Sequence, residues 1–195
     1  MKYFIKQAVL PIIYTVLMAV TAIGVMCLNE NVTWLKVIFL FVNLGLYAYV
    51  VGTMAFKDGQ DAFNTREAND AERRIIVETG EDRVLKEDEE YKPWKGFVVG
   101  LTTCAPLIIL FLLQIILDIF GAGTNIPEIL ATYIYMMISS LVHLAGFKSI
   151  AWIFIFSVLF ICSCTGIPYI FGAIKVERQK RLIQEKHHKI YGQDK

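Results

Sequence analysis

Long stretches without a single charged side chain make up most of this sequence, and the charges are concentrated in the segments between them. Uncharged runs cover residues 7–29, 37–56, 96–117, 129–147 and 149–174 of a 195-residue chain. A helix needs about 20 apolar residues to cross the hydrocarbon core of a bilayer, so at least four of these runs qualify as spans. Lipid offers no partner to an open backbone, whereas a helix satisfies its own hydrogen bonds. The sequence therefore predicts an all-α, polytopic integral membrane protein. The largest segment between runs, 57–95, is too short to bury a good core alone.

A formal net charge of +1 conceals strong segregation. Of the 19 Lys and Arg residues, 17 lie before the first run, within 57–95, or after residue 174. Only Lys36 and Lys148 fall in the other connections. If those three basic segments share a side, the positive-inside rule makes it the cytoplasmic side. The expectation is cytoplasmic N- and C-termini and an even number of spans. Counting 129–147 as a full span would place the basic tail outside. Segment 126–147, entered through Asn125-Ile-Pro127-Glu128, is therefore read as a re-entrant or interfacial helix beside four transmembrane helices. The chain divides into a first transmembrane hairpin (1–56), a charged helical loop (57–95), a second hairpin with the re-entrant segment (96–174) and a basic tail (175–195). The first run is read as an uncleaved span, because it is long and no small-x-small cleavage site follows it.

Local signals refine this outline. Asn31-Val-Thr33 is a glycosylation sequon in the turn of the first hairpin, and Trp34 suits the membrane interface. Asn64 followed by Glu67 predicts a helix N-cap, and Gly80 a stop, giving a separate helix over 64–79. Trp94, with Lys92 and Lys95, is expected to anchor the next span among headgroups. Pro106 predicts a kink in the third span. The last span is expected to continue without a break as a helix through residue 190.

Polar groups inside the runs are the candidates for function, because an ionisable or amide group in lipid must face protein or water. Gln114 and Asp118 are four residues apart and share a helix face, with Thr103 below them. Asn43 lies near the middle of the second span, and its natural partner is expected to be Gln114. Glu128 and His143 belong to the re-entrant segment, and histidine titrates near neutrality. These six positions are the candidate pathway or helix–helix contacts. Cys162 and Cys164 suggest a redox pair, but alternate helical residues point apart, so close helix packing accounts for them better. Arg73, Arg74 and Glu78 are the candidate cytoplasmic partner surface. Lys175, Arg178, Lys180 and Arg181 are the candidate lipid-headgroup contacts. Asp58, Asp61, Asn64 and Glu67 do not match a calcium-loop spacing, and no glycine-rich phosphate loop, HExxH or GxSxG sequence occurs. No catalytic residue, metal, cofactor or nucleic-acid partner is expected. The functional expectation is a non-enzymatic, self-associating or accessory subunit of a membrane complex, whose partners are the bilayer, copies of itself or other membrane proteins. The alternative is a small oligomeric channel or carrier; an intramembrane redox enzyme is the third reading.

Overall fold

The computed structural model describes residues 2–27, 33–80, 85–121, 124–146 and 149–191, and every regular element among them is helical. The sequon asparagine, Asn31, lies outside the described residues. The first apolar run forms α1 (Lys2–Met26), and the second begins α2 (Thr33–Thr79). A short 3₁₀ turn at Glu87–Glu89 follows. The third run is divided between α3 (Lys95–Thr103) and α4 (Ala105–Ile119). Two nine-residue helices, α5 (Ile126–Ile134) and α6 (Met136–Leu144), precede the long α7 (Ile150–Tyr191). Three helices, α1, α2 and α7, are long and apolar enough to cross a membrane, and α3 with α4 adds a fourth if the bent pair is one span. Exposed Ile13, Val20, Phe41, Ile109, Leu159 and Phe171 give the bundle an apolar outer surface of the kind lipid accepts.

Several local expectations hold. The third span is bent by 54° between α3 and α4, just before Pro106, whose missing N–H leaves the preceding turn one hydrogen bond short. Gly80 ends α2 with a left-handed φ of 71°. Its N–H bonds the Ile76 carbonyl at 2.8 Å, the arrangement that glycine adopts without a Cβ penalty. α7 runs unbroken past the end of its apolar stretch.

The expected helix start at Asn64 is overturned. Asn64 is an exposed residue in the interior of α2, so the second span and the loop helix are one element of 47 residues, about 70 Å long. Packing explains the continuity. A Cβ on Gly59 would come 2.0 Å from the Tyr169 carbonyl oxygen, and one on Gly172 would come 2.0 Å from that of Phe56. Both glycines therefore let the backbones of α2 and α7 touch. Glycine costs a helix interior about 1 kcal/mol, and here that cost is offset by close approach along a second long helix.

α2 and α7 run parallel. Tyr47 meets Phe160 with ring centroids 5.9 Å apart, and further along both helices Glu67 pairs with Lys180. α3 and α4 run antiparallel to α7, since Gly96 lies against Tyr169 while Phe111 stacks on Phe154 at 4.6 Å. α1 is antiparallel to α2, with Tyr3 near Asp58 and Asn43 bonded to Met18. Hence the start of α1, residues 57–80 and 85–95, and the extension of α7 lie together at one end, called the charged end below.

α4 finishes and α7 begins at the opposite end, so the α5–α6 segment must leave and return on the same side. It starts at Thr124, whose carbonyl accepts from Gln114 Nε2 at 3.3 Å. Its turning point, Tyr135, is 1% exposed and reaches the Thr103 carbonyl in the middle of the bundle at 3.4 Å. α6 then packs beside Leu44 and Phe156 on the way back to α7. This is the geometry of a re-entrant helical hairpin.

Candidate functional site

Apart from Gln114 and Asp118, the polar groups expected to form a pathway sit in separate places. Asn43 Nδ2 donates to the Met18 carbonyl at 2.9 Å and to Thr21 Oγ1 at 3.0 Å, so it ties α2 to α1 rather than to Gln114. One turn on, the Tyr47 and Thr15 hydroxyls are hydrogen bonded at 3.2 Å. Gln114 is buried and donates to Asp118 Oδ1 at 2.8 Å, as their spacing suggests, while Asp118 itself is exposed. Gln114 Oε1 is buried without a protein partner. Glu128 is half-buried in the first turn of α5. His143 is exposed, and its Nδ1 lies 2.7 Å from the Ser139 carbonyl; a carbonyl only accepts, so Nδ1 carries the proton. A cavity of about 230 Å³ between these helices is lined by Leu44, Ile138, Leu141, Val142, Ala145, Phe156 and Phe160. None of the expected pathway residues lines it.

Thr103 belongs to a different arrangement. Its hydroxyl donates to Val99 O at 2.9 Å. Its carbonyl and the Leu107 N–H are the two halves of one helical rung, and both face the Tyr135 hydroxyl. The phenol of the re-entrant tip thus fills the gap in the bent third span. At the same bend the Cys104 and Cys162 thiols are neighbours, and the Cys162 thiol donates to the Phe97 carbonyl at 3.9 Å. Gly100 makes room for them, since a Cβ there would lie 2.8 Å from Cys162 Cα. Cys164 is buried and is not Cys162's partner.

At the charged end, the expected partner surface is partly consumed. Arg73 bonds Asp70 at 3.0 Å and Glu90 at 2.7 Å, and Glu90 also accepts from Asn69 Nδ2 at 2.7 Å. With Tyr91 N–H on the Ala62 carbonyl at 3.0 Å, these bonds pin the segment after the 3₁₀ turn onto α2. Arg74 and Glu78 remain exposed. Lys95 is not a headgroup anchor. It is 3% exposed, donates to the Asp88 and Glu90 carbonyls at 2.5 and 2.6 Å, and lies over the Tyr3 ring. Trp94 is half exposed and packs on Phe4 with ring centroids 5.9 Å apart. In the tail, Lys180 pairs with Glu67 and Arg181 with Glu177. Lys175 lies over the Phe56 ring, and Arg178 is exposed.

A cleft of about 390 Å³ opens at this end between α1 and α2, reaching Val99 of α3 and Thr165 of α7. Its floor is Leu10, Pro11, Val51, Met54 and Ala55, and its mouth carries Lys6, Lys57, Asp58, Asp61 and Glu89. That volume falls within the range of about 300–1,000 Å³ common for ligand sites. Asp58 is half-buried, and burial, with Asp61 adding to it and Lys57 opposing it, pushes its carboxyl up to about 6. Sequence reasoning weighed these carboxylates only against calcium-loop spacing. The available signal was their i,i+3 spacing at the end of a span, facing Lys6 across the hairpin.

The fold and these sites define an all-helical protein with helices fit to span a membrane. Comparison with protein-family models, curated proteins and solved structures finds no match for the chain.

Proposed function

We propose that the chain is a non-enzymatic membrane subunit that presents a stiff two-helix arm to partner proteins or to copies of itself, with the charged end in the cytoplasm. The observation that carries this reading is the continuation of α2 and α7 past their apolar stretches as one parallel pair. Their contacts at Gly59, Gly172 and Glu67–Lys180 hold the arm together from within, leaving other faces for docking. On the arm, Leu182 and Ile183 are 51% and 65% exposed beside exposed Arg178, and Arg74 and Glu78 are exposed on α2. Apolar side chains flanked by charges are what interfaces use. The channel reading has less support, because its polar candidates bond within the bundle and line no shared cavity.

Native mass measurement after gentle extraction tests the proposal. Wild-type protein should run as a defined assembly, and Leu182→Glu with Ile183→Glu should return it to monomer mass without lowering its thermal unfolding midpoint. A monomeric wild-type protein, or an assembly indifferent to those substitutions, would overturn the reading.

A further inference from the structure

We infer that the cleft at the charged end binds a phospholipid bearing a primary amine, its ammonium on Asp58 and Asp61, its phosphate on Lys6 and Lys57, and its chain on the apolar floor. Three observations carry this. The first is the order of chemistry along the two helices. Moving toward the charged end, α2 presents Val51, Met54 and Ala55, then Lys57, then Asp58 and Asp61; α1 presents Pro11 and Leu10, then Gln7 and Lys6. Chain, phosphate and ammonium follow one another in the same order in such a lipid.

The second is that these charges are not spent on each other. Among the described residues, several neighbouring charges at this end are engaged: Arg73 with Asp70 and Glu90, Lys180 with Glu67, Arg181 with Glu177, and Lys95 with backbone carbonyls. Lys6, Lys57, Asp58 and Asp61 take part in none of these pairs although all four line one cleft. Lys57 offsets only part of the burial of Asp58; a half-buried carboxylate is costly, and a bound ammonium relieves it. The third is the depth of the site. The cleft lies where the apolar stretch of α2 gives way to charge, the level at which headgroups lie. A primary ammonium donates hydrogen bonds to both carboxylates, whereas a quaternary one has none to donate.

Native mass spectrometry of the purified full chain tests this, with phosphatidylethanolamine, phosphatidylcholine and phosphatidylglycerol offered at equal concentration. The ethanolamine lipid should be retained about five-fold over each of the others, the discrimination expected of charge-assisted hydrogen bonds. Asp58→Asn with Asp61→Asn should bring it down to the choline level, and Lys6→Gln with Lys57→Gln should weaken all three. Asp61→Asn alone, at an exposed position, should lower the ethanolamine preference with no change in fold. Arg178→Gln should leave retention unchanged. Soluble glycerophosphoethanolamine at the same concentration should not displace the lipid. Equal retention of ethanolamine and choline lipids, preference for the glycerol lipid, indifference to the carboxyl variants, or displacement by the soluble headgroup would each overturn the inference.

Discussion

Replacing Asp58 by Asn should stabilise the protein near neutral pH, although it removes a charge from the mouth of the cleft. Asp58 keeps its proton up to about pH 6, against an ordinary value of 3.8. A folded-state value raised above the unfolded one means that the native protein binds the proton more tightly. Stability is then fully present below the unfolded value and falls as pH rises through the folded one. The two values differ by about two pH decades at roughly 1.4 kcal/mol each, giving an upper bound of about 3 kcal/mol lost by pH 7.5. The carboxylate is only half-buried, and solvent screening reduces the figure to about 1–2 kcal/mol. Asparagine keeps the shape and avoids the charge, so the variant should unfold roughly 2–8 °C higher at pH 7.5.

A thiol-reactive dye reports the transition, since Cys104 and Cys164 are 0% and 9% exposed and become reactive on unfolding. The advantage of the variant should shrink toward a third of its size by about pH 4.5, where native Asp58 is protonated anyway. Adding an ethanolamine lipid should narrow the gap from the other side, by giving the wild-type carboxylate its cation. An Asp58→Asn variant less stable than wild-type at pH 7.5 in lipid-free detergent would refute the reasoning. So would a gap that does not change between pH 4.5 and 7.5.

Three further outcomes are expected. Gly172→Val should cost about 3 kcal/mol or more, because its Cβ meets the Phe56 carbonyl at 2.0 Å and backbone cannot yield as a side chain does. Gly45→Ala, with nothing within 4 Å, should gain up to about 1 kcal/mol, so equal midpoints for the two variants would sink the close-packing account. Tyr135→Phe should cost about 1 kcal/mol by stranding the Thr103 carbonyl and Leu107 N–H; an unchanged midpoint would show that the rung closes without the phenol. Copper–phenanthroline oxidation, with oxygen taking two electrons and two protons from a thiol pair, should join Cys104 to Cys162. After denaturation the number of alkylatable cysteines should then fall from four to two, and Cys162→Ser should keep all its remaining three. Loss of Cys164 from the alkylated set in that variant would contradict the geometry.

What could be read from the sequence was what local chemistry decides. Length and apolarity mark the spanning helices, Pro106 weakens its own turn, Gly80 accepts a left-handed φ, and nothing in 175–190 interrupts a helix. The hairpin of α5 and α6, which leaves and returns at one end of the bundle, is compatible with the re-entrant or interfacial helix expected from the charge count. The failures share one cause. Asn64 carries a sound capping signal, but α2 packs along α7 on both sides of it and that packing outweighs the cap. Asn43 and Gln114 both need a partner in an apolar medium, and depth alone made them a pair. Which way each helix is rotated decides instead, and Asn43 faces Met18 and Thr21. Helical geometry separates Cys162 from Cys164, and its neighbour Cys104 lies at the bend between α3 and α4, where no spacing rule reaches.

The same limit explains why the cleft escaped notice. Lys6, Lys57, Asp58 and Asp61 each suit the end of a spanning helix, where charges set topology and need no other purpose. A topology-setting charge is free to pair with its neighbours, as Lys180 does with Glu67 and Arg181 with Glu177. The cleft residues surround a shared space instead, and burial holds Asp58 at a raised pKa. A charge that only fixed orientation would be better placed one turn further out, fully hydrated. Its position beside an apolar floor makes sense if a cation spends time there, and that distinguishes a binding site from a boundary marker.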